Sequence, residues 1–196
     1  MSIEFEVNTI NYIIGESGVG KTTMINLLIG QRKPMQGTIL YDNIEIDTMS
    51  VEDISKYVAW VSQEIVMFHD SILNNIVLDT NVDMEWLKQV CKDCEILKDI
   101  EALPDGFETI IAEQGNNLSG GQKNRICLAR ALYMKKPILV IDEVTAGLDM
   151  ITEKRVKENL KKYFRNKIVI IITHSSQFIM KESNVYSLEN GKLLLN

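Results

Sequence analysis

The residue types best suited to holding phosphate stand together in the stretch GESGVGKTT, from Gly15 to Thr23. Glycines at the fixed positions of the pattern GxxxxGK[ST] let a loop wrap round phosphate groups with its N–H groups pointing inward. Lys21 can then reach the outer phosphates, and the Thr22 hydroxyl can bind Mg²⁺. The residues of this loop predicted to bind nucleotide are Gly15, Glu16, Ser17, Gly18, Val19, Gly20, Lys21, Thr22 and Thr23.

Two acidic residues follow a short apolar run in the stretch ILVIDE, from Ile138 to Glu143. The four apolar residues predict a buried strand that delivers Asp142 and Glu143 at its carboxyl end, where open α/β sheets bind ligands. Asp142 would hold Mg²⁺ through the water shell of the ion, and Glu143 could polarise an attacking water. In the presence of the glycine-rich loop, this pair indicates a site for nucleotide hydrolysis.

A second turn suited to an anion lies in NNLSGGQKNR, from Asn116 to Arg125. A serine and two glycines precede a predicted helix, whose free N–H groups and dipole favour a negative ligand. The candidate binding residues are Leu118, Ser119, Gly120, Gly121 and Gln122. The first loop already provides a phosphate site in this chain. The sequence therefore raises the question of which phosphate group the second turn binds.

Strand patterns and helix patterns alternate on both sides of a mostly helical middle stretch. The predicted strands are NYIIG, YVAWVSQ, PILVID and KIVIIITH, and the predicted helices of the flanking stretches are KTTMINLLIG and TEKRVKENLKKYF. This alternation predicts an α/β fold with a mostly parallel sheet covered on both faces. We expect residues 1–64 to form the first part of a nucleotide-binding core, 65–136 an inserted helical subdomain, and 137–196 the second part of the core.

The glycine loop, LSGGQ, ILVIDE and the AGLD of Ala146 to Asp149 resemble, in type and order, the motifs of the nucleotide-binding domain of ABC ATPases. Gln63 matches the Q-loop of that family, and His174 matches its switch histidine. The resemblance implies a P-loop NTPase fold with ATP and Mg²⁺ as cofactors. The implied catalytic residues are Glu143, His174 and Gln63, the implied metal ligands are Thr22, Gln63 and Asp142, and Asp149 joins the ATP-binding set.

The same resemblance implies a head-to-tail dimer in which each glycine loop and each LSGGQ enclose one ATP. The second turn would therefore serve the ATP of the other subunit.

Two longer stretches narrow the resemblance to exporter-type transporters. VSQEIVMFHDSILNNI and LPDGFETIIAEQGNNLSGGQKNRICLARAL are similar to the corresponding stretches of exporters. In such proteins the segment that holds Glu113 contacts the cytoplasmic loops of a membrane domain, although Ala112 stands where glycine is usual. The implied function is ATP hydrolysis that powers export across a membrane, at its cytoplasmic face. The implied partners are a second nucleotide-binding domain and a transmembrane domain, which would select the cargo.

The start of the sequence departs from the exporter pattern, in which an aromatic residue well upstream of the glycine loop stacks on adenine. Tyr12 lies inside the strand that enters the loop, and Phe5 is also too close to it. We therefore expect an excised or N-terminally shortened nucleotide-binding domain.

Composition and charge favour a cytosolic protein and leave two other functional classes open. The net charge of −6 does not suggest a nucleic-acid partner. The apolar runs are far shorter than the roughly 18 residues of a membrane-spanning helix, and the acidic N-terminus is not a signal peptide. The alternatives are an ABC-type ATPase that is not coupled to transport and a nucleotide-binding scaffold without turnover. The former predicts long heptads or a duplicated cassette, neither of which occurs, and the presence of Glu143 and His174 argues against the latter.

Three further features have structural interpretations. Cys91 and Cys94 form a CxxC, which could be half a zinc site or a redox pair, but helical periodicity favours small buried thiols. We treat His69, in the helical region, as a surface residue. The run KENLKKYFRNK, from Lys157 to Lys167, is interpreted as a solvated helix face.

Overall fold

The computed structural model describes residues 3–16, 18–142, 148–173, 179–189 and 191–196. Its main sheet has six strands in the order β4-β5-β6-β1-β7-β8, and β2 and β3 form a separate hairpin. The strands are β1 Thr9–Ile14, β2 Leu40–Tyr41, β3 Ile44–Glu45, β4 Val58–Val61, β5 Ile138–Asp142, β6 Ile168–Thr173, β7 Asn184–Glu189 and β8 Lys192–Leu195. The helices are α1 Lys21–Leu28, α2 Val51–Tyr57, α3 Ile72–Ile76, α4 Met84–Asp93, α5 Leu97–Glu101, α6 Gly120–Tyr133 and α7 Met150–Leu160.

The central strands are parallel, as the continuous apolar runs predict. β1 pairs in parallel with both β6 and β7, and β5 pairs in parallel with β6, whereas β7 and β8 are antiparallel. Asp142 is in register with Ile172, and Ile14 is in register with Thr173. The carboxyl ends of β5, β6 and β1 therefore meet at one edge of the sheet. The predicted α/β fold with a mostly parallel sheet is confirmed.

Close Cα packing divides the chain into two units. The first, here called the sheet unit, contains residues up to 60 together with 136–142 and 166–196. The second, here called the helical unit, contains residues 61–135 and the described residues 148–165. Helix α7 thus packs with the helical unit, although the sequence-based division placed it in the second part of the core. One physical reason is a hydrogen bond at 3.0 Å from the side-chain amide of Asn159, in α7, to the main-chain carbonyl of Asp93, at the end of α4.

The core of the sheet unit is formed by apolar side chains from the strands and α1. Its members are between 0% and 8% exposed: Ile13, Ile25, Val140, Ile170, Ile172, Tyr186, Leu188 and Leu193. Burial of such side chains is the main force that holds a sheet against a helix. Since Ile13 and Ile25 flank the glycine-rich loop, the core fixes both ends of that loop.

The helical unit has its own core, built from α3, α4, α5 and α6. Its fully buried apolar side chains include Ile72, Ile76, Leu87, Val90, Ile100, Ile126 and Leu128. Cys91 and Cys94 are also 0% exposed, which confirms that they are small buried thiols. Within the described residues, no helix has the length and apolar character that a membrane crossing requires.

Asp93 ties α4 to the segment that contains α7. This carboxylate is 6% exposed and accepts hydrogen bonds from Lys162 at 2.8 Å and from the Tyr163 hydroxyl at 2.7 Å. Leu160, Tyr163 and Phe164 are each less than 9% exposed. The interpretation of the KENLKKYFRNK run as a solvated face is therefore wrong for its apolar side, because a 3₁₀ turn after α7 buries those side chains.

His69 is exposed, as expected, but it lies in a bend before α3 and not in a helix. Its Nδ1 atom is 3.0 Å from the carbonyl oxygen of Ile111.

Candidate functional site

The glycine-rich loop begins where β1 ends and finishes where α1 starts. Gly18 and Gly20 have φ angles of 82° and 107°, in the left-handed region that glycine adopts without a Cβ penalty. Gly20 is the N-cap of α1, and its carbonyl oxygen accepts a hydrogen bond from the N–H of Met24 at 2.9 Å. The first N–H groups of α1 have no partner within the helix, so they point out of its end as donors. Ser17 lies outside the described residues.

Lys21 closes the loop. Its side chain is buried, with 8% of the residue exposed, and its ammonium donates to the carbonyl oxygens of Gly15 and Glu16 at 2.8 and 2.7 Å. The ammonium group thus lies at the N-terminus of α1, where the helix dipole also favours a negatively charged ligand. That donor set suits the oxygens of a polyphosphate.

A side chain at Gly15, at the loop entrance, would crowd its neighbours. A Cβ there would lie 3.0 Å from the carbonyl oxygen of Leu188 and 3.0 Å from Cγ2 of Val19. Leu188 belongs to β7, whose backbone is fixed by pairing on both sides. Thr22 and Thr23 are exposed in the first turn of α1, so their hydroxyls are accessible for binding.

Asp142 reaches the same edge of the sheet as the loop. It is the last residue of β5 and is 7% exposed. Asp142 is in register with Ile172 of β6, and Ile172 is in register with Ile13 of β1. Asp142 therefore lies at the height of Ile13, one residue before the end of β1. Two strand spacings separate it from Ile13, about 10 Å. The chemistry of the set, a hydroxyl at Thr22 and a carboxylate at Asp142, fits Mg²⁺, which prefers oxygen ligands and keeps several waters.

The LSGGQ turn is a tightly capped helix start in the helical unit. Ser119 is the N-cap of α6, and its Oγ accepts from Gln122 N–H at 3.2 Å, while Gln122 Oε1 accepts from Ser119 N–H at 2.9 Å. This reciprocal pair is a capping box. Leu118 N–H donates to Gly115 at 2.9 Å, which holds the turn from the other side.

A pocket of about 480 Å³ opens beside the LSGGQ turn, with Asp149 on its wall. Its lining residues are Ser119, Gly120, Gly121, Asn124, Arg125, Leu148, Asp149 and Thr152. The structure thus brings together two motifs that the sequence separates by a long interval. The glycines and polar side chains of the lining offer N–H and hydroxyl donors, and its charged groups are one guanidinium, that of Arg125, and one carboxylate, that of Asp149.

Asp149 lines the pocket and also caps a helix. It is the N-cap of α7, and its Oδ1 accepts from the N–H groups of Ile151 and Thr152 at 3.1 and 3.0 Å. Hydrogen bonds from the Thr152 side chain and backbone hold the pKa of Asp149 below its usual value. The carboxylate is therefore ionised at neutral pH and engaged with its own helix.

The remaining predicted residues fall in two groups. Gln63 is exposed in the bend that follows β4 and belongs to the helical unit. Glu143 and His174, predicted as catalytic residues, lie outside the described residues.

The Glu113 segment forms a 3₁₀ turn from Glu113 to Gly115. Ala112, which stands where exporters usually have glycine, has φ −65° and ψ 165°. That conformation is open to any residue, so the alanine does not distort the turn.

The two aromatic residues near the start of the chain, Tyr12 and Phe5, both pack in the sheet unit. Tyr12 is 4% exposed, and burial raises the pKa of its hydroxyl. Phe5 packs edge-on against Tyr186, with ring centroids 5.8 Å apart. Both rings therefore contact the core of the sheet unit, and the absence of an adenine platform stays a prediction.

Sequence reasoning missed Asn124, Arg125 and Thr152 in the pocket wall. Their spacing contains a signal, since Asn124 and Arg125 follow Gly120 and Gly121 by four positions on one helix and Thr152 follows Asp149 by three. Asp99, which bonds to both Gln122 and Arg125, has no such signal because it comes from a different helix.

The fold is that of a P-loop α/β nucleotide-binding protein. Its parallel sheet has a glycine-rich loop at the carboxyl edge, a lysine at the end of that loop and an acidic residue on a nearby strand. The family model described as ABC transporter matches residues 1–146. The chain belongs to the ABC transporter family.

The chain is 39% identical over 184 residues to ABC transporter B family member 29, chloroplastic, of Arabidopsis thaliana, covering 92% of this chain and 29% of that protein. It is 32% identical over 182 residues to the ATP-dependent lipid A-core flippase of Burkholderia thailandensis, covering 93% of this chain and 30% of the flippase. The structure of a bacterial Atm1-family ABC exporter with ATP bound matches with a TM-score of 0.92 and 31% identity, over 98% of this chain and 34% of that chain.

The chain therefore spans about a third or less of the length of these relatives. The predicted resemblance to the nucleotide-binding domain of ABC exporters is confirmed.

Proposed function

We propose that the chain is the ATP-binding and hydrolysing part of an ABC exporter, which powers movement of a substrate across a membrane. The observation that carries this proposal is the closed glycine-rich loop, in which Lys21 is held by the carbonyls of Gly15 and Glu16 at the start of α1. The similarity of the chain to a flippase and to an Atm1-family exporter supports a role in transport.

In this proposal the loop N–H groups and Lys21 hold the phosphates of ATP. Mg²⁺, when bound, neutralises charge between the outer phosphates, and the hydroxyl of Thr22, the amide of Gln63 and the carboxylate of Asp142 are the groups that would hold it. Glu143 polarises the attacking water as general base, and His174 assists as the switch residue. The roles of Gln63, Glu143 and His174 follow from the family resemblance.

A second copy, or a related domain, would complete the site. The LSGGQ turn and Asp149 form a polar pocket in the helical unit, while the glycine-rich loop belongs to the sheet unit. In a head-to-tail dimer, the pocket of one subunit would face the ATP held by the loop of the other. Ser119, Gly120 and Gly121 would then donate to the terminal phosphate.

A transmembrane domain is the further partner that we propose. Two apolar side chains of the helical unit are exposed to solvent, Phe68 at 47% and Ile110 at 53%. Ser71 pairs with Ile110 in an isolated β-bridge, and Ile111 N–H donates to Asp70 at 2.9 Å. These contacts join the segment after Gln63 to the segment before Glu113 in one partly apolar surface. Such a surface fits a protein partner, in keeping with the exporter role of the Glu113 segment.

The test is ATP binding and hydrolysis by the purified chain and its Lys21→Ala variant. A fluorescent ATP analogue is titrated into each protein, and phosphate release is followed with Mg²⁺ present. We expect Lys21→Ala to lose nucleotide affinity by tenfold or more, because no other side chain replaces the ammonium on the outer phosphates. Lys33→Ala, which removes an exposed lysine after the same helix, is the matched control. Equal affinity in the two variants would remove the basis of the proposal.

A further inference from the structure

The orientation of Ser119 in the LSGGQ turn depends on the side chain of Gln122. The Gln122 carboxamide oxygen accepts from Ser119 N–H at 2.9 Å, and Gln122 N–H donates to Ser119 Oγ at 3.2 Å. The turn is exposed, and a carboxamide can rotate by a half-turn to exchange its oxygen and nitrogen. If Gln122 did so, its NH₂ group would face the N–H of Ser119, and two donors would oppose each other.

Asp99 prevents that exchange. It lies on α5, and its Oδ1 accepts from Nε2 of Gln122 at 3.1 Å. A carboxylate has no proton to give, so it accepts only the NH₂ end of the amide. Gln122 must therefore present its oxygen to Ser119. The chemical polarity of one acidic residue fixes the hydrogen-bond pattern of the turn.

The same carboxylate holds Arg125 in the wall of the pocket. Asp99 Oδ2 accepts from an η nitrogen of Arg125 at 2.9 Å, with the guanidinium side chain 14% exposed and the carboxylate 35% exposed. Arg125 Nε also donates to the carbonyl of Gly121 at 3.2 Å, and its η nitrogen donates to the carbonyl of Glu95. The two oxygens of Asp99 thus hold both the cap of the turn and the cation beside it.

We propose that Asp99 is a positioning residue for the LSGGQ turn, setting Gln122 and Arg125 so that Ser119 and Gly121 are presented to an anionic phosphate group. This inference rests on the proposed function for its role in ATP turnover. Asp99 does not touch the ligand, since it does not line the pocket. It acts through Gln122 and Arg125.

The experiment compares Asp99→Asn with Glu101→Gln in the same 196-residue chain. Both changes replace an acid with its amide on α5, and Glu101 is exposed and makes no side-chain hydrogen bond within the described ranges. An asparagine at position 99 can donate as well as accept, so it no longer selects one orientation of Gln122. Both variants are studied at a temperature at which circular dichroism shows them to be folded.

The first measurement does not depend on catalysis. Amide hydrogen exchange of Ser119 and its neighbours in the turn is followed without nucleotide. We expect exchange of the Ser119 N–H to be about tenfold faster in Asp99→Asn, corresponding to about 1.4 kcal/mol, and unchanged in Glu101→Gln. Equal exchange in the two variants would overturn the positioning of Ser119 by Asp99.

The second measurement separates nucleotide binding from turnover. Asp99→Asn should bind a fluorescent ATP analogue with unchanged affinity, because the glycine-rich loop is intact, while kcat for ATP falls about tenfold. A general structural defect would lower both. If exchange rises but kcat stays at the level of Glu101→Gln, the catalytic part of the inference is wrong. If the wild-type chain shows no turnover, the proposed function fails, and the exchange measurement still decides whether Asp99 sets Ser119.

Discussion

Arg130 and Asn75 are 55 positions apart, and the guanidinium of Arg130 donates to the main-chain oxygen of Asn75 at 2.6 Å and to its side-chain oxygen at 3.2 Å. Asn75 is 0% exposed and also bonds to both the N–H and the carbonyl of Phe68 at 2.9 Å. Arg130 reaches the carbonyl of Val66 at 3.0 Å and covers the ring of Phe68. Two polar side chains thus hold the segment after Gln63 against α3 and α6.

Replacing Arg130 with methionine should lower the free energy of unfolding by about 2–3 kcal/mol, because the main-chain and side-chain oxygens of the buried Asn75 would lose charged donors. Methionine keeps much of the apolar contact but cannot donate. Urea denaturation followed by circular dichroism measures the change. Arg165→Met, at an exposed arginine, should change it by less than about 0.5 kcal/mol. A similar result for both variants would show that the Asn75 network contributes little.

Asp93 should make the stability of the helical unit depend on pH in the acid range. Burial alone would raise the pKa of Asp93, but hydrogen bonds from Lys162, Gln89 and Tyr163 outweigh burial, and the pKa is lowered. The folded state therefore favours the carboxylate more than the unfolded chain does. Its contribution is fully present above the unfolded pKa of about 4 and is lost as the pH falls through the lower folded value.

We accordingly expect Asp93→Asn to be less stable than the wild type at neutral pH and the difference to shrink below about pH 4. The free energy of unfolding is measured in urea at a series of pH values. Asp105→Asn, at an exposed aspartate, provides the control and should show no such trend. A constant difference between wild type and Asp93→Asn across the series would contradict the linkage.

The buried thiols should be chemically inert in the folded protein. Cys91 and Cys94 are both 0% exposed, and burial raises the pKa of Cys91 to about 12. Since the thiolate is the reactive form, modification by a disulfide reagent at pH 8 should require opening of the helical unit. Cys127, which is 9% exposed, should react first. Rapid labelling of Cys91 without denaturant would mean that α4 opens easily.

Gly15→Ala should damage the phosphate loop without changing any charge. The added methyl group would lie 3.0 Å from the Leu188 carbonyl, so either the loop or β7 must shift, at a cost of about 1–3 kcal/mol. We expect lower stability in urea and weaker binding of a fluorescent ATP analogue. Gly120→Ala is the control for stability, because its Cβ would meet no atom within 4 Å. Unchanged stability and affinity in Gly15→Ala would show that the loop adapts.

A dimer closed by ATP should appear when hydrolysis is blocked. If Glu143 is the general base, Glu143→Gln should bind Mg²⁺–ATP without turnover and remain paired, as light scattering after size exclusion would show. Adding Ser119→Arg should dissolve that dimer while the nucleotide affinity of the same chain is kept, because the arginine would fill the site offered to the other copy. Ser55→Arg, on an exposed face of α2, should leave the dimer intact. A Glu143→Gln protein that stays monomeric at saturating ATP would contradict the sandwich.

The sequence by itself determined the elements whose signals are local. The apolar runs ILVI and IVIII specify buried parallel strands, and the glycines before Lys21 allow the positive φ angles that the loop has at Gly18 and Gly20. Ser119 and Gln122 stand three residues apart, and this spacing allows them to cap one helix. Each of these patterns involves residues close together in the chain, so its geometry can be worked out from spacing.

Tertiary structure alone decided the contacts between distant segments. No spacing rule connects Asp93 with Lys162, or Asp99 with Arg125 and Gln122, because those pairs come from separate helices. The packing of α7 with the helical unit has no local signal either, because it involves Asn159 of α7 and Tyr163 of the following 3₁₀ turn, which both bond to Asp93 of α4. Which polar groups meet after folding depends on how the apolar faces of the helices pack, and only the folded chain contains that information.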